Sequence, residues 1–102
     1  MRQFSICSLK RARPSGRDRL VIVLQHDLLA DLRTRVVAPL VDEGEVGSID
    51  KLTPEIEFQG KKLRIRFDQL VTVDIQSLGS ELGRIDVQDV VMRSIDLLFT
   101  GF

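Results

Sequence analysis

The residue types that most often build catalytic and metal sites are sparse in this sequence. It contains one histidine, His26, and one cysteine, Cys7, whereas a zinc site built on such ligands needs several of them at set spacings. A catalytic thiol needs a neighbouring base, but Cys7 follows Phe4 and Ile6 in a strand-like run that favours a packed side chain. No Gly-x-Ser-x-Gly elbow and no glycine-rich phosphate loop is present. We therefore predict that the protein is not an enzyme and uses no cofactor or metal.

The end of the sequence is better suited to binding than to catalysis. Its last four residues are Phe99, Thr100, Gly101 and Phe102. Aromatic side chains supply much of the energy of protein interfaces, so two of them flanking a glycine could anchor a partner. The two rings could instead fold back onto the rest of the protein, and the pattern alone leaves both arrangements open.

Length and composition are those of one small globular domain, assigned to residues 1–102. Apolar residues make up 43% and charged residues 29%, a balance that argues against a disordered chain. The formal net charge is zero, so the molecule as a whole has no electrostatic attraction to nucleic acid or to an anionic membrane. We expect a cytoplasmic protein, because there is no long apolar run, no evident leader and only one cysteine. A core of this size gives marginal stability, which pairing with a second copy would improve.

Charge is unevenly distributed along the chain. Basic residues concentrate between positions 10 and 19, and acidic residues between positions 42 and 57. A solvated hairpin tip is the preferred interpretation of the basic stretch, and contact with phosphates is the alternative.

Apolar periodicity predicts a mostly β chain. Strands are expected at residues 3–9, 20–24, 35–41, 55–59, 63–67 and 70–75. The turns between them are short, which favours antiparallel neighbours. Pro39 lies inside the third strand, and since proline cannot donate to a β-ladder, we expect this strand to be at an edge or to end early. Residues 25–33 are expected to form a loop or one helical turn, and residues 42–51 an exposed loop.

The last part of the chain follows helical spacing. Asp86 is the expected N-cap, and Gly101 is expected to end the helix. The residues expected to face the core are Val87, Val90, Val91, Ser94, Ile95 and Leu98. The sequence thus predicts antiparallel strands followed by one C-terminal helix.

Four segments resemble the CcdB-type toxins of plasmid-maintenance systems. They are the opening around Phe4 and Leu20; the centre with Gln25, Asp27, Leu28, Leu29, Arg35, Val37, Pro39 and Leu40; the middle with Leu52, Pro54, Gly60, Leu78 and Gly79; and the ending at residues 95–102. No single motif is specific, but their order and spacing match along nearly the whole chain, least well between residues 42 and 49.

The resemblance implies an SH3-like barrel of the type shared by CcdB and MazF toxins, with antiparallel strands, a small additional sheet and a terminal helix. It implies a homodimer, with the two terminal helices near the dimer axis, that poisons DNA gyrase by binding its A subunit. It further implies neutralisation by a cognate antitoxin with a disordered C-terminal segment. No catalysis, cofactor, membrane or sequence-specific nucleic acid binding by the toxin alone is implied.

The resemblance also assigns contact residues. The gyrase-binding set carried over from the family is Leu28, Leu29, Asp96, Phe99, Thr100, Gly101 and Phe102. Toxic members have tryptophan at the position of Thr100, asparagine at Asp96 and isoleucine at Phe102. Truncating a hot-spot residue costs roughly 2–4 kcal/mol, which is about 30- to 1000-fold in affinity.

Two alternatives therefore stay open beside the gyrase inhibitor. The first is a homologue that does not poison gyrase but keeps the dimer and antitoxin binding. The second is an endoribonuclease of the MazF type, for which Arg19, Arg64 and Arg66 could supply positive charge but no persuasive base can be named.

Overall fold

The described residues of the computed structural model, 2–10, 19–42 and 52–101, form seven strands and one α-helix. The strands are β1 (Ser5–Leu9), β2 (Arg19–Val23), β3 (Thr34–Asp42), β4 (Glu55–Phe58), β5 (Lys61–Ile65), β6 (Val71–Asp74) and β7 (Leu78–Arg84), and the helix is α1 (Gln88–Thr100). The same described ranges contain three short 3₁₀ turns, at Asp27–Leu29, Phe67–Gln69 and Ile75–Ser77. The predicted fold class, antiparallel and mostly β with a C-terminal helix, is confirmed.

All seven strands belong to one curled antiparallel sheet. Its order is β4-β5-β3-β2-β1-β7, and β6 pairs with β3 beside β5. The outer side of β3 is shared, because β6 pairs with Thr34–Val37 and β5 with Leu40–Asp42. The two ends of the sheet approach each other, since the Gln59 side-chain amide donates to the Leu82 carbonyl at 3.3 Å.

The expectation for Pro39 is wrong, because β3 is a central strand that continues past the proline. Pro39 lies opposite Val21 of β2, and its carbonyl accepts a hydrogen bond of 2.9 Å from the Arg66 N–H on the other side. In a strand, the N–H and C=O of one residue point the same way. An N–H at position 39 would thus point at the Arg66 carbonyl, which instead accepts from the Gln69 N–H at 3.1 Å in the following 3₁₀ turn, so this carbonyl keeps a partner without it.

Apolar side chains cover both faces of the central strands. Ile6, Ile22 and Ala38 point into a first cluster, which also contains Val87, just before α1, and Val91 of α1. The alternating residues Cys7, Val21, Val23 and Val37 form a second cluster with Leu78 on the opposite face. Cys7 is fully buried there, as predicted, and burial raises the pKa of its thiol.

Strand β7 is missing from the sequence prediction, which placed no strand after residue 75. The strand pairs with β1 through an irregular register, with shifts on both sides of Cys7. Two glycines hide its periodicity, and both are needed for close packing. A Cβ on Gly79 would lie 2.3 Å from the Ser8 hydroxyl oxygen, and one on Gly83 would collide with the ring of Phe58.

Several predicted boundaries shift. Strand β1 begins at Ser5 because Phe4 has a positive φ of 66°, and β6 ends at Asp74 because a 3₁₀ turn follows. The β4–β5 turn is formed by Gln59 and Gly60, both with positive φ, as a type I′ hairpin turn requires. Residues 43–51 of the predicted acidic loop and residues 11–18 of the basic stretch lie outside the described residues.

The helix starts one residue after the expected position. Val87 occupies the N-cap without a side-chain hydrogen bond, and the Asp86 carboxylate accepts one of 3.2 Å from the Gln88 N–H. The predicted core face is confirmed except at Leu98, which is 37% exposed. The C-terminal end of α1 therefore has an apolar side chain that the other described residues do not fully cover.

Candidate partner-binding site

The 3₁₀ turn Asp27–Leu29 presents two large apolar side chains to solvent. Leu28 is 87% exposed and Leu29 50% exposed, and the turn buries none of its own residues. Apolar packing therefore does not hold this turn in place. It lies between β2 and β3, and the sequence prediction of a loop or one helical turn at residues 25–33 is confirmed.

Hydrogen bonds made by the side chains of Gln25, His26 and Asp27 hold the turn in place. His26 is its N-cap, and its ring Nδ1 accepts from the Leu28 N–H at 3.0 Å. The Asp27 carboxylate accepts from the Gln3 N–H at 2.7 Å, which ties the turn to the N-terminal segment. The Gln25 amide donates to the carbonyls of Leu29 and Thr34, at 3.1 and 3.2 Å. The single histidine thus has a structural role in the turn.

A buried arginine holds the other side of the turn. Arg35 is only 5% exposed, and its guanidinium donates to the carbonyls of Ala30 at 2.8 Å, Leu32 at 2.5 Å and Thr34 at 2.8 Å. Among the described residues its partners are carbonyl oxygens and not carboxylates. Buried carbonyls need donors, and one planar guanidinium supplies several of them.

The second part of the predicted set lies at the end of α1. Phe99 is 72% exposed, so its ring projects into solvent and does not fold back onto the sheet. Asp96 precedes Phe99 by one turn and is also exposed. The Thr100 hydroxyl donates to the Asp96 carbonyl at 2.6 Å, within its own helix. Phe102 lies outside the described residues.

Gly101 ends the helix in a conformation that favours glycine. Its φ is 80°, in the left-handed region, and its N–H donates to the Leu97 carbonyl at 3.0 Å. This is a C-terminal cap in which any residue with a Cβ is strained. The glycine therefore fixes the direction in which the chain leaves the helix.

The structure gathers the predicted residues into two groups. Asp96, Phe99, Thr100 and Gly101 are together at the end of α1. Leu28 and Leu29 belong to a separate element, the 3₁₀ turn Asp27–Leu29. Helix α1 packs mainly against a different turn, Phe67–Gln69.

Sequence reasoning missed two exposed apolar neighbours of these groups, Leu32 and Met92. Met92 lies two helical turns before Phe99, and this i, i+7 spacing was visible in the sequence.

Two of the three arginines considered for RNA contact, Arg64 and Arg66, are engaged in structural interactions. Arg64 donates to the Thr53 carbonyl at 2.7 Å, and Arg66 binds Asp68 through two hydrogen bonds of 2.8 and 2.5 Å. The hydrogen bonds and charge of Arg66 hold the pKa of the Asp68 carboxyl below its usual range. Within residues 2–10, 19–42 and 52–101, no group of three or more His, Cys, Asp or Glu could hold a metal ion.

Comparison with known proteins points to one family. The model of the family described as "CcdB protein" matches residues 3–101. The solved structure of the Mycobacterium tuberculosis toxin MazF-mt6 superposes with a TM-score of 0.70 at 15% identity, covering 93% of this chain and 95% of that one. The likeness to MazF-mt6 shows a shared fold and confirms the predicted CcdB/MazF type. Among curated proteins none matches the sequence.

In the part of the chain that the structure describes, no helix has the length and apolar character needed to cross a membrane.

Proposed function

Because the chain belongs to the CcdB family, whose members are toxins of toxin–antitoxin systems, we propose that it inhibits DNA gyrase by binding the A subunit. In this proposal the whole chain, residues 1–102, acts as one domain and works as a homodimer in the cytoplasm. A cognate antitoxin with a disordered C-terminal segment neutralises it. The toxin itself uses no cofactor and catalyses no reaction.

The observation that carries the proposal is the presentation of apolar side chains on two rigid elements. Leu28 and Phe99 are among the most exposed large apolar residues described, and neither contributes to the core. Each lies close in sequence to further exposed apolar residues, Leu29 and Leu32 in one case and Met92 and Leu98 in the other, and grouped exposed apolar side chains are typical of binding surfaces. Both lie at positions that the resemblance to the family assigns to gyrase contact, together with Leu29, Asp96, Thr100, Gly101 and Phe102.

The uncovered end of α1 supports the homodimer. Val91 is buried against the sheet, whereas Leu98, two turns further along the same helix face, is 37% exposed. Helix α1 packs against the 3₁₀ turn Phe67–Gln69, and of its last five residues all but Leu97 are exposed. A second copy placed against this end of α1 would cover Leu98 and leave Phe99 on the outside.

A gyrase cleavage assay tests the proposal. Purified protein is added to gyrase and supercoiled DNA, and the accumulation of linear, cleaved DNA is measured. We expect protein-dependent cleavage with gyrase and intact DNA in a parallel reaction without gyrase. Normal supercoiling with no cleaved DNA, from a protein shown to be a folded dimer, would contradict the proposal.

A homologue that keeps the fold without poisoning gyrase is the second candidate, and one observation favours it. The Thr100 hydroxyl is bonded to the Asp96 carbonyl of its own helix, so it offers a partner little beyond one methyl group. The exposed Asp96 carboxylate would also have to be desolvated at an apolar interface. This candidate predicts that Thr100→Trp creates cleavage activity that the unaltered protein lacks.

A further inference from the structure

The turn that carries Leu28 and Leu29 is ordered by polar contacts alone. It buries none of its side chains, yet its backbone N–H and C=O groups are bonded on both sides. A short segment without apolar packing loses its order easily unless such bonds hold it. The side chains that supply these bonds therefore determine how the two leucines are presented.

Two side chains supply most of these hydrogen bonds, and neither of them is exposed. Gln25 bonds the carbonyls of Leu29 and Thr34, and Arg35 bonds those of Ala30, Leu32 and Thr34. We call Gln25 and Arg35 the carbonyl clamp. Together they bond four of the six carbonyls from residue 29 to residue 34, the segment that leads from the turn back into β3.

Burying the Arg35 side chain is unfavourable for folding, which indicates that the order it gives the turn serves binding. Arg35 places a permanent positive charge in a site that is 5% exposed, and among the described residues it meets carbonyl dipoles and no carboxylate. Burying a charge without a counter-ion is strongly unfavourable. A plain polar loop of the same length would connect β2 and β3 without it.

We propose that Arg35 and Gln25 are positioning residues, which hold Leu28 and Leu29 in the conformation that binds the partner protein. The benefit is entropic, because a turn that is already ordered loses less freedom on binding. This inference rests on the proposed function, in which Leu28 and Leu29 contact the gyrase A subunit. It adds two residues that do not touch the partner themselves.

The test compares local order with binding in the same set of variants. Gln25→Met and Arg35→Lys weaken the clamp in different ways, and Arg33→Met is the matched control on an exposed residue of the same segment. Amide hydrogen exchange is measured at Leu29, Ala30 and Leu32, whose N–H groups are bonded within the turn. Binding is measured with purified gyrase A subunit.

In both clamp variants the amides of the turn should exchange about tenfold faster, and binding to the gyrase A subunit should be about tenfold weaker. A tenfold effect corresponds to the loss of one hydrogen bond of typical strength. Exchange at Ile22 and Ala38 in the sheet should be unchanged, as should every reading for Arg33→Met. Arg35→Lys keeps the charge, and it should therefore retain more binding than an Arg35→Met variant that still folds. Leu28→Ala should weaken binding without changing exchange.

Two results would overturn the inference. Unchanged exchange at the turn in both clamp variants would mean that other contacts order it. Faster amide exchange at the turn with unchanged binding to the gyrase A subunit would mean that an ordered turn is not needed for binding. If the unaltered protein does not bind the gyrase A subunit, the proposed function fails, and exchange alone then decides whether the clamp orders the turn.

Discussion

The ring of Phe58 in β4 lies directly on Gly83 of β7. A Cβ built on Gly83 would be 2.6 Å from Cε1 and 2.9 Å from Cζ of that ring. Because β4 and β7 are the two ends of the sheet order, this contact closes the curled sheet where no backbone ladder does.

Gly83→Ala should therefore destabilise the protein by about 1–3 kcal/mol, the usual cost of forcing an extra carbon into a packed site. Denaturant unfolding measures the change. Ser80→Ala, on an exposed position of the same strand, is the control and should have little effect. In a Phe58→Leu background, Gly83→Ala should cost less; equal costs in both backgrounds would show that the ring is not the obstacle.

Gly101 allows a test of the helix end by two substitutions that both add a Cβ. Gly101→Ala places a Cβ at a φ of 80° and should cost about 1 kcal/mol. Gly101→Asn should cost less, since asparagine tolerates the left-handed region. Thermal unfolding of the two variants gives the comparison. An alanine variant that is more stable than the asparagine variant would refute the assigned cap.

Removing the Phe99 ring should impair partner binding without harming the fold. Phe99→Ala is expected to weaken binding to the gyrase A subunit by roughly 2–4 kcal/mol, or about 30- to 1000-fold. Its unfolding free energy should change little, because the side chain is 72% exposed. Arg93→Ala, at another exposed position of α1, is the control. Full binding by Phe99→Ala would remove this residue from the proposed contact set.

The Arg66–Asp68 pair predicts a pH-dependent contribution to stability. Its hydrogen bonds flank the fully buried Phe67 and lower the pKa of Asp68 in the folded protein. The stabilisation is therefore present above the pKa of the unfolded chain and is lost as the pH falls through the folded-state pKa.

Asp68→Asn should accordingly lower the unfolding free energy at neutral pH by about 0.5–1 kcal/mol, the upper range for a surface pair. Denaturant unfolding of both proteins across the acid range should show the difference shrinking as Asp68 takes up its proton. A difference that stays constant with pH would mean that the substitution acts through packing and not through charge.

The sequence predicted those parts of the fold that leave a local pattern. Alternation in β5 and helical spacing in α1 follow from burial on one side of each element. Strand β7 left no such pattern, because Gly79 and Gly83 are required by neighbours far away in the chain. Pro39 misled for a related reason: the change of partner beside it depends on two later strands.

The candidate site shows the same division. Leu28 and Phe99 could be named through resemblance to a family, and both side chains are exposed in the structure. The role of Arg35 could not be foreseen, since its partners are backbone carbonyls that any residue type would provide.

The apolar cover on both faces of β1, β2 and β3 has a consequence for how the chain finds its register. In most half-exposed strands, slipping by one residue turns the apolar side toward water, and this penalty alone selects the correct pairing. Here the slip would exchange one buried apolar set for another. The discrimination has to come from residues that fit in only one alignment, such as Pro39 beside the change of strands and Gly83 beneath Phe58. In this protein the residues least typical of strands are thus the ones that keep the strands in the correct register.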